Sequence, residues 1–198
     1  MTHLAITDHD RIDAALAARD EAPDGLTVIV GQEVKTRTGD LIALYIEKPI
    51  PAGLPSFEAA ARVRDAGGLV GLAHPFDRFR AGAGRRGWES DLEQLIPLLD
   101  FVESWNARLF MGSGNAQAAE FAVAHGLPGV AVSDAHTVLE VGVAYTILEG
   151  RVRDAAELRA ALAGARLVTA KGSRAVRVAM PVAKLIQRIR GNRRVLPA

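Results

Sequence analysis

Short apolar runs alternate with longer Ala-rich stretches of helical spacing, and five of the short runs end in the same kind of chemistry. "LAITDHD" closes on Asp8 and His9, "TVIVGQE" on Glu33, "LVGLAHP" on His74, "FVESWN" on Asn106 and "GVAVSDAH" on Asp134 and His136. Strands alternating with helices predict βα units and a mainly parallel sheet. In such a sheet the C-terminal strand ends share one face, where active sites lie. The pattern therefore carries three histidines, at least two carboxylates and an amide to a common rim. Imidazole and carboxylate without sulfur suit Zn²⁺, Mn²⁺ or Fe²⁺, and cysteine is absent from the chain. Singly, each residue has a structural alternative. A strand-end Asp caps helices, and a histidine often hydrogen-bonds within a core. The recurrence at equivalent positions points to a site.

The strands are predicted at residues 4–7, 26–30, 41–47, 69–73, 101–105, 129–133, 144–148 and 167–169. The helices are predicted at 11–19, 57–66, 92–99, 116–125 and 155–163. Ser56, Asp91, Asn115 and Asp154 occupy N-cap positions, and Gly67, Gly126 and Gly164 the glycine stops. The pair 26–30 and 41–47, joined through "GQEVKTRTGD", has a hairpin as its alternative. At 198 residues the chain is expected to form one domain with a real core.

The runs "LAITDHD", "GQEVKT", "GLVGLAHPFD", "ESWNAR" and "SDAHT", in this order and spacing, resemble the PHP (polymerase and histidinol phosphatase) family over nearly the whole chain. Within that family the chain looks most like the stand-alone phosphoesterases. The resemblance implies a distorted (βα)7 barrel over residues 1–178, followed by a basic helix or tail over 179–198. It implies two divalent cations at the strand ends, and three in an intact form. It implies metal ligation by His9, Glu33 (bridging two ions), His74, Asp134 and His136. Asp8 is expected to orient a ligand imidazole, and Asp8, His9, Asp134 and His136 form the expected catalytic group. Family members begin with a further strand bearing His-X-His, and no such strand lies in these 198 residues. The expectation is therefore a barrel without its first strand and a first metal short of two ligands, through a late start or a shortened paralogue. His3 precedes its strand and is expected on the surface at the opposite end. Asp40 stands where many relatives carry a histidine, although "RTGD" also reads as a turn opening a strand.

The expected reaction is metal-assisted hydrolysis of a small phosphate monoester, a nucleotide or a sugar or amino-alcohol phosphate. Arg78 and Arg80, in a Gly- and Arg-rich loop, are expected to bind the phosphate, with Asn106 as a further substrate group. The alternative is a catalytically impaired remnant that acts as a binding or regulatory module. Residues 151–198 carry 12 Lys/Arg against 2 Asp/Glu, leaving 12 against 21 before them. The basic end raises a nuclease as a third reading, but no aromatic residue is interleaved there, so nucleic acid is not the expected partner. No apolar run approaches the roughly 18 residues that span a bilayer. A cytoplasmic protein without a membrane partner is expected.

Overall fold

The computed structural model describes residues 1–77, 88–109 and 113–172. Arg78, Arg80 and the 179–198 tail lie outside the described residues, as does the expected domain boundary at 178.

All eight predicted strands form, with small shifts at their ends: β1 (His3–Ile6), β2 (Thr27–Lys35), β3 (Asp40–Leu44), β4 (Leu69–Leu72), β5 (Phe101–Asn106), β6 (Gly129–Val132), β7 (Tyr145–Ile147) and β8 (Arg166–Val168). Five helices accompany them: α1 (Asp13–Asp20), α2 (Ser56–Asp65), α3 (Trp88–Leu95), α4 (Gly114–Ala124) and α5 (Ala155–Leu162). Three of the four predicted N-caps fall elsewhere. Pro55 and Ser113 precede α2 and α4, while Asp91 lies inside α3. Asp154 does cap α5, accepting from the Glu157 N–H at 2.8 Å.

The fold is mixed α/β, with six strands in the order β1-β2-β3-β4-β5-β6 forming a curled, half-barrel sheet. The expected distorted (βα)7 barrel without its first strand is met in part, as a curled sheet that does not make a full barrel among the described residues. β2 and β3 are a hairpin, so β3 runs against both of its neighbours, and β7 pairs antiparallel with β8 in a separate sheet. Where a barrel would continue the ladder from β6 to β7, the Thr146 hydroxyl contacts Ala131, donating to its carbonyl and accepting from its N–H.

Alternation along the strands sorts side chains onto two faces. Val30, Val34, Leu41, Ala43, Val70, Leu72 and Val102 face a core completed by Ala15, Ala59, Val63, Leu95 and Ala122 from the helices. Ile29, Ile42, Leu44, Leu69 and Phe101 face the opposite way, onto Leu158 and Leu162 of α5. By the same period of two, Glu33 shares the face of Ile29, Asp40 that of Ile42, and Glu103 that of Phe101. The face covered by α5 is thus apolar toward one end and acidic toward the other. Gly71 is required on it, because a Cβ there would sit 2.2 Å from the Phe101 ring. Gly71→Ala is expected to cost about 1–3 kcal/mol, as overpacking does, read as a lower urea midpoint at unchanged slope. An unchanged midpoint would show that the ring yields freely.

Candidate metal centre

The reversed strand creates the centre. β2 and β4 deliver their C-terminal ends to the rim, whereas β3 delivers its first residue. The register sets Lys35 opposite Asp40 and Leu41 opposite Leu72. Asp40 therefore arrives beside Glu33 and His74. Among the described residues, Glu33, Asp40 and His74 are the one group of three or more potential His, Asp or Glu ligands whose donor atoms all lie within 4.8 Å of one another.

His74 is 3% exposed, and its Nε2 lies 3.0 Å from Glu33 Oε1. His9 approaches the other oxygen of the same carboxylate, with Nε2 3.5 Å from Glu33 Oε2 and a side chain 61% exposed. The backbone sets this pair. His9 bridges Glu33 in parallel register, with the Glu33 N–H on Asp8 O and the Asp10 N–H on Glu33 O. Asp40 is 5% exposed, and its Oδ1 is buried without a hydrogen-bond partner among the described residues. Burial pushes its carboxyl above the usual carboxylate range and the Glu33 charge adds to this, against the opposing effect of His74. Two carboxylates meeting in a buried place, one with an idle oxygen, is an arrangement that costs free energy unless a cation joins it. Two carboxylates and an imidazole are the donors expected of a Mn²⁺, Zn²⁺ or Fe²⁺ site, so the residues fit such an ion.

Asp134 and His136 stand apart from this group. They contact one another, with His136 Nδ1 3.4 Å from Asp134 Oδ1. The connection to the Glu33 side runs through two buried residues. Asn106 donates from Nδ2 to Asp134 Oδ2 at 3.1 Å and to Glu103 Oε2 at 3.2 Å, and Glu103 Oε2 also accepts the His74 N–H at 3.0 Å. The five expected ligands are thus two adjacent sets with a polar bridge between them. Burial pushes the Glu103 carboxyl up to about 7, with His74 opposing and the charges of Asp134 and Glu33 adding. His74 and Asp134 both adopt left-handed backbone conformations, φ 23° and 48°. Such residues cost free energy and persist where the surroundings fix them.

Asn106 is placed differently from the expectation of a substrate group. It is 1% exposed, its Nδ2 is engaged twice, and its Oδ1 accepts the Arg108 N–H at 2.9 Å. Its Nδ2 links the Glu103 and Asp134 carboxylates. Asp8 is exposed at the rim, and its carbonyl fixes Glu33. His3 does not precede its strand but opens β1, at the end opposite the rim, where it is half-buried and its Nε2 hydrogen-bonds Val152 O at 2.7 Å. Glu103 escaped the sequence reading, although a carboxylate central in the apolar run "DFVESW" was a signal: a charge in a buried strand needs partners.

Comparison with known proteins yields a consistent set. Residues 112–167 match a family model described as PHP-associated. The chain is 35% identical over 117 residues to an uncharacterized protein of Methanocaldococcus jannaschii, covering 59% of this chain and 49% of that protein. A second uncharacterized protein of the same organism is 32% identical over 105 residues, covering 52% and 57%. The chain spans about half the length of the curated relatives it matches. Among solved structures, it superimposes with a TM-score of 0.64 and 14% identity on a Bacteroides vulgatus two-domain protein containing a predicted PHP-like metal-dependent phosphoesterase, over 85% of this chain and 56% of that one. It also superimposes with a TM-score of 0.60 and 16% identity on a lesion-specific endonuclease of Pyrococcus furiosus, over 84% and 49%. At these identities the structural likeness concerns the fold.

Proposed function

We propose that the chain carries a PHP family domain, as the match of residues 112–167 to a PHP-associated model supports, and that it is a metal-dependent phosphoesterase acting on a small phosphate monoester. The observation that carries the reading is the Glu33–Asp40–His74 group, buried at Asp40 and His74, with its idle Asp40 oxygen. Glu33, Asp40 and His74 would hold one ion, with His9 reaching the second oxygen of Glu33. Asp134 and His136 would face a second. A divalent cation there supplies positive charge against the phosphoryl oxygens and acidifies water.

The chain's own residues bind, orient and move protons. Glu33, gripped from both sides by His9 and His74, fixes the spacing of the two imidazoles. His9, exposed at the mouth, is within reach of a bound ester and is the group proposed to protonate the leaving alkoxide. Asn106 and Glu103 hold the Asp134 and His74 segments in one frame, so that substrate meets a preorganised set of groups.

With Mn²⁺ and p-nitrophenyl phosphate the protein is expected to release phosphate. EDTA is expected to abolish the release and His136→Ala to reduce it. Turnover indifferent to both would end the hydrolase reading. Mn²⁺ binding without turnover of any ester would support the binding-module alternative instead.

A further inference from the structure

The proposed metal centre has a second layer that neither the family likeness nor the ligand set assigns. Glu140 is 3% exposed, four residues after His136, on the short 3-10 turn Val138–Glu140. Its Oε2 accepts the His136 N–H at 2.9 Å and the Thr137 hydroxyl at 3.2 Å. Arg108 Nη1 donates to both of its oxygens, at 3.2 and 3.3 Å. The Arg108 backbone N–H in turn donates to Asn106 Oδ1. A line of hydrogen bonds therefore runs from the His136 backbone through Glu140 and Arg108 to Asn106, and on to Asp134 and Glu103.

We propose that the Arg108–Glu140 pair is a positioning device that fixes the Asp134–Ala135–His136 turn, and with it the direction of the His136 imidazole. The turn needs one. Asp134 sits at φ 48°, a conformation that surroundings must impose on a residue with a side chain. His136 itself is 37% exposed at its side chain, so little packing holds the ring. What holds the segment is the carboxylate beneath it. Arg108 pairs with that buried carboxylate, and two further donors complete its shell. The neighbouring Val138 and Leu139 are exposed, at 89% and 80%, so the turn is not anchored by burying them. The one buried side chain of the 3-10 turn is the acid.

The consequence for metal binding rests on the phosphoesterase reading, but the anchor itself does not. Both are read on the full chain. Hydrogen–deuterium exchange of the metal-free protein is expected to show residues 134–138 protected. Glu140→Ala should speed that exchange about tenfold or more, with the β2–β3 hairpin unchanged. Arg108→Met should do the same, and it serves alone if Glu140→Ala does not fold. Glu140→Gln, which keeps an oxygen for the His136 N–H, should recover part of the protection. In a Mn²⁺ titration, Glu140→Ala should weaken the His136-dependent ion about 10- to 100-fold, as losing the support of a ligand does. Adding His136→Ala to it should then cost nothing further. Exchange over 134–138 that stays unchanged, or rises equally in the β2–β3 hairpin, would overturn the anchor. So would Mn²⁺ affinity that falls with His136→Ala but not with Glu140→Ala. If the wild-type chain takes up no Mn²⁺, the phosphoesterase reading fails while the exchange measurement still decides the anchor.

Discussion

Asp40→Asn is expected to stabilise the metal-free protein and at the same time to remove its response to Mn²⁺. The two effects have one cause. The Asp40 carboxylate is buried beside Glu33 with an idle oxygen, and its pKa is raised by burial and by that neighbour. A raised folded-state pKa means that at neutral pH the ionised group opposes folding. An amide has no charge to desolvate, so thermal melts in EDTA should show the variant above the wild type. With Mn²⁺ the order reverses. An ion present at about 100 times its dissociation constant adds about 2.7 kcal/mol to the state that binds it, and the variant forfeits most of that gain. Activity should follow, because charge stabilisation by an ion supplies several kilocalories of barrier lowering, on the order of a hundred- to a thousandfold in rate. Glu33→Gln should lose as much, since the amide removes the negative charge that a cation would meet between the two imidazoles. Equal melting of wild type and Asp40→Asn, with and without metal, would mean that Asp40 is an ordinary strand-opening residue.

The metal-free protein should also weaken as pH rises from about 4.5 to 7. Glu103 is buried, and its carboxyl is pushed from an ordinary 4.5 to about 7. Its protonated form is favoured in the fold, so its contribution is complete below the unfolded-state value. That contribution is lost as pH climbs through the folded-state value. A displacement of that size corresponds to about 3 kcal/mol. Asp40 is displaced in the same direction and adds to the trend. Urea midpoints in EDTA across this range should therefore fall in the wild type and fall much less in Glu103→Gln. The glutamine retains an oxygen for the His74 N–H and the Asn106 amide but carries no charge. Identical profiles for the two proteins would show that Glu103 is not the group responsible.

What could be read from the chain, and what could not, divides along a physical line. Local periodicity marks every described strand, because an apolar run bounded by Gly, Pro and polar residues has few other conformations open to it. Direction and partner are set by long-range pairing, which no local window contains. Reading β3 as one more strand in a parallel series sends its C-terminus to the rim. The hairpin instead brings Asp40 there, and that reversal turns an apparent turn residue into a member of the metal group. β7 likewise has the composition of a barrel strand, but it pairs with β8 and meets β6 through the Thr146 hydroxyl. His74 and Glu33 were legible because both lie near the C-terminal ends of strands that run the same way. Glu103 and Glu140 were not, since each acts on a ligand's backbone rather than on the rim. Asn106 was legible as polar and near the site, but its burial and its two carboxylate partners belong to the folded state alone.

In the proposed centre Glu33, Asp40 and His74 close around a cation. Anomalous diffraction at the manganese edge, from crystals grown with Mn²⁺, tests it without reference to turnover. A peak bounded by Glu33 Oε1, Asp40 Oδ1 and His74 Nε2 is expected, lost in Asp40→Asn crystals. A structure in which His74 stays hydrogen-bonded to Glu33 while Mn²⁺ binds elsewhere or nowhere would contradict it.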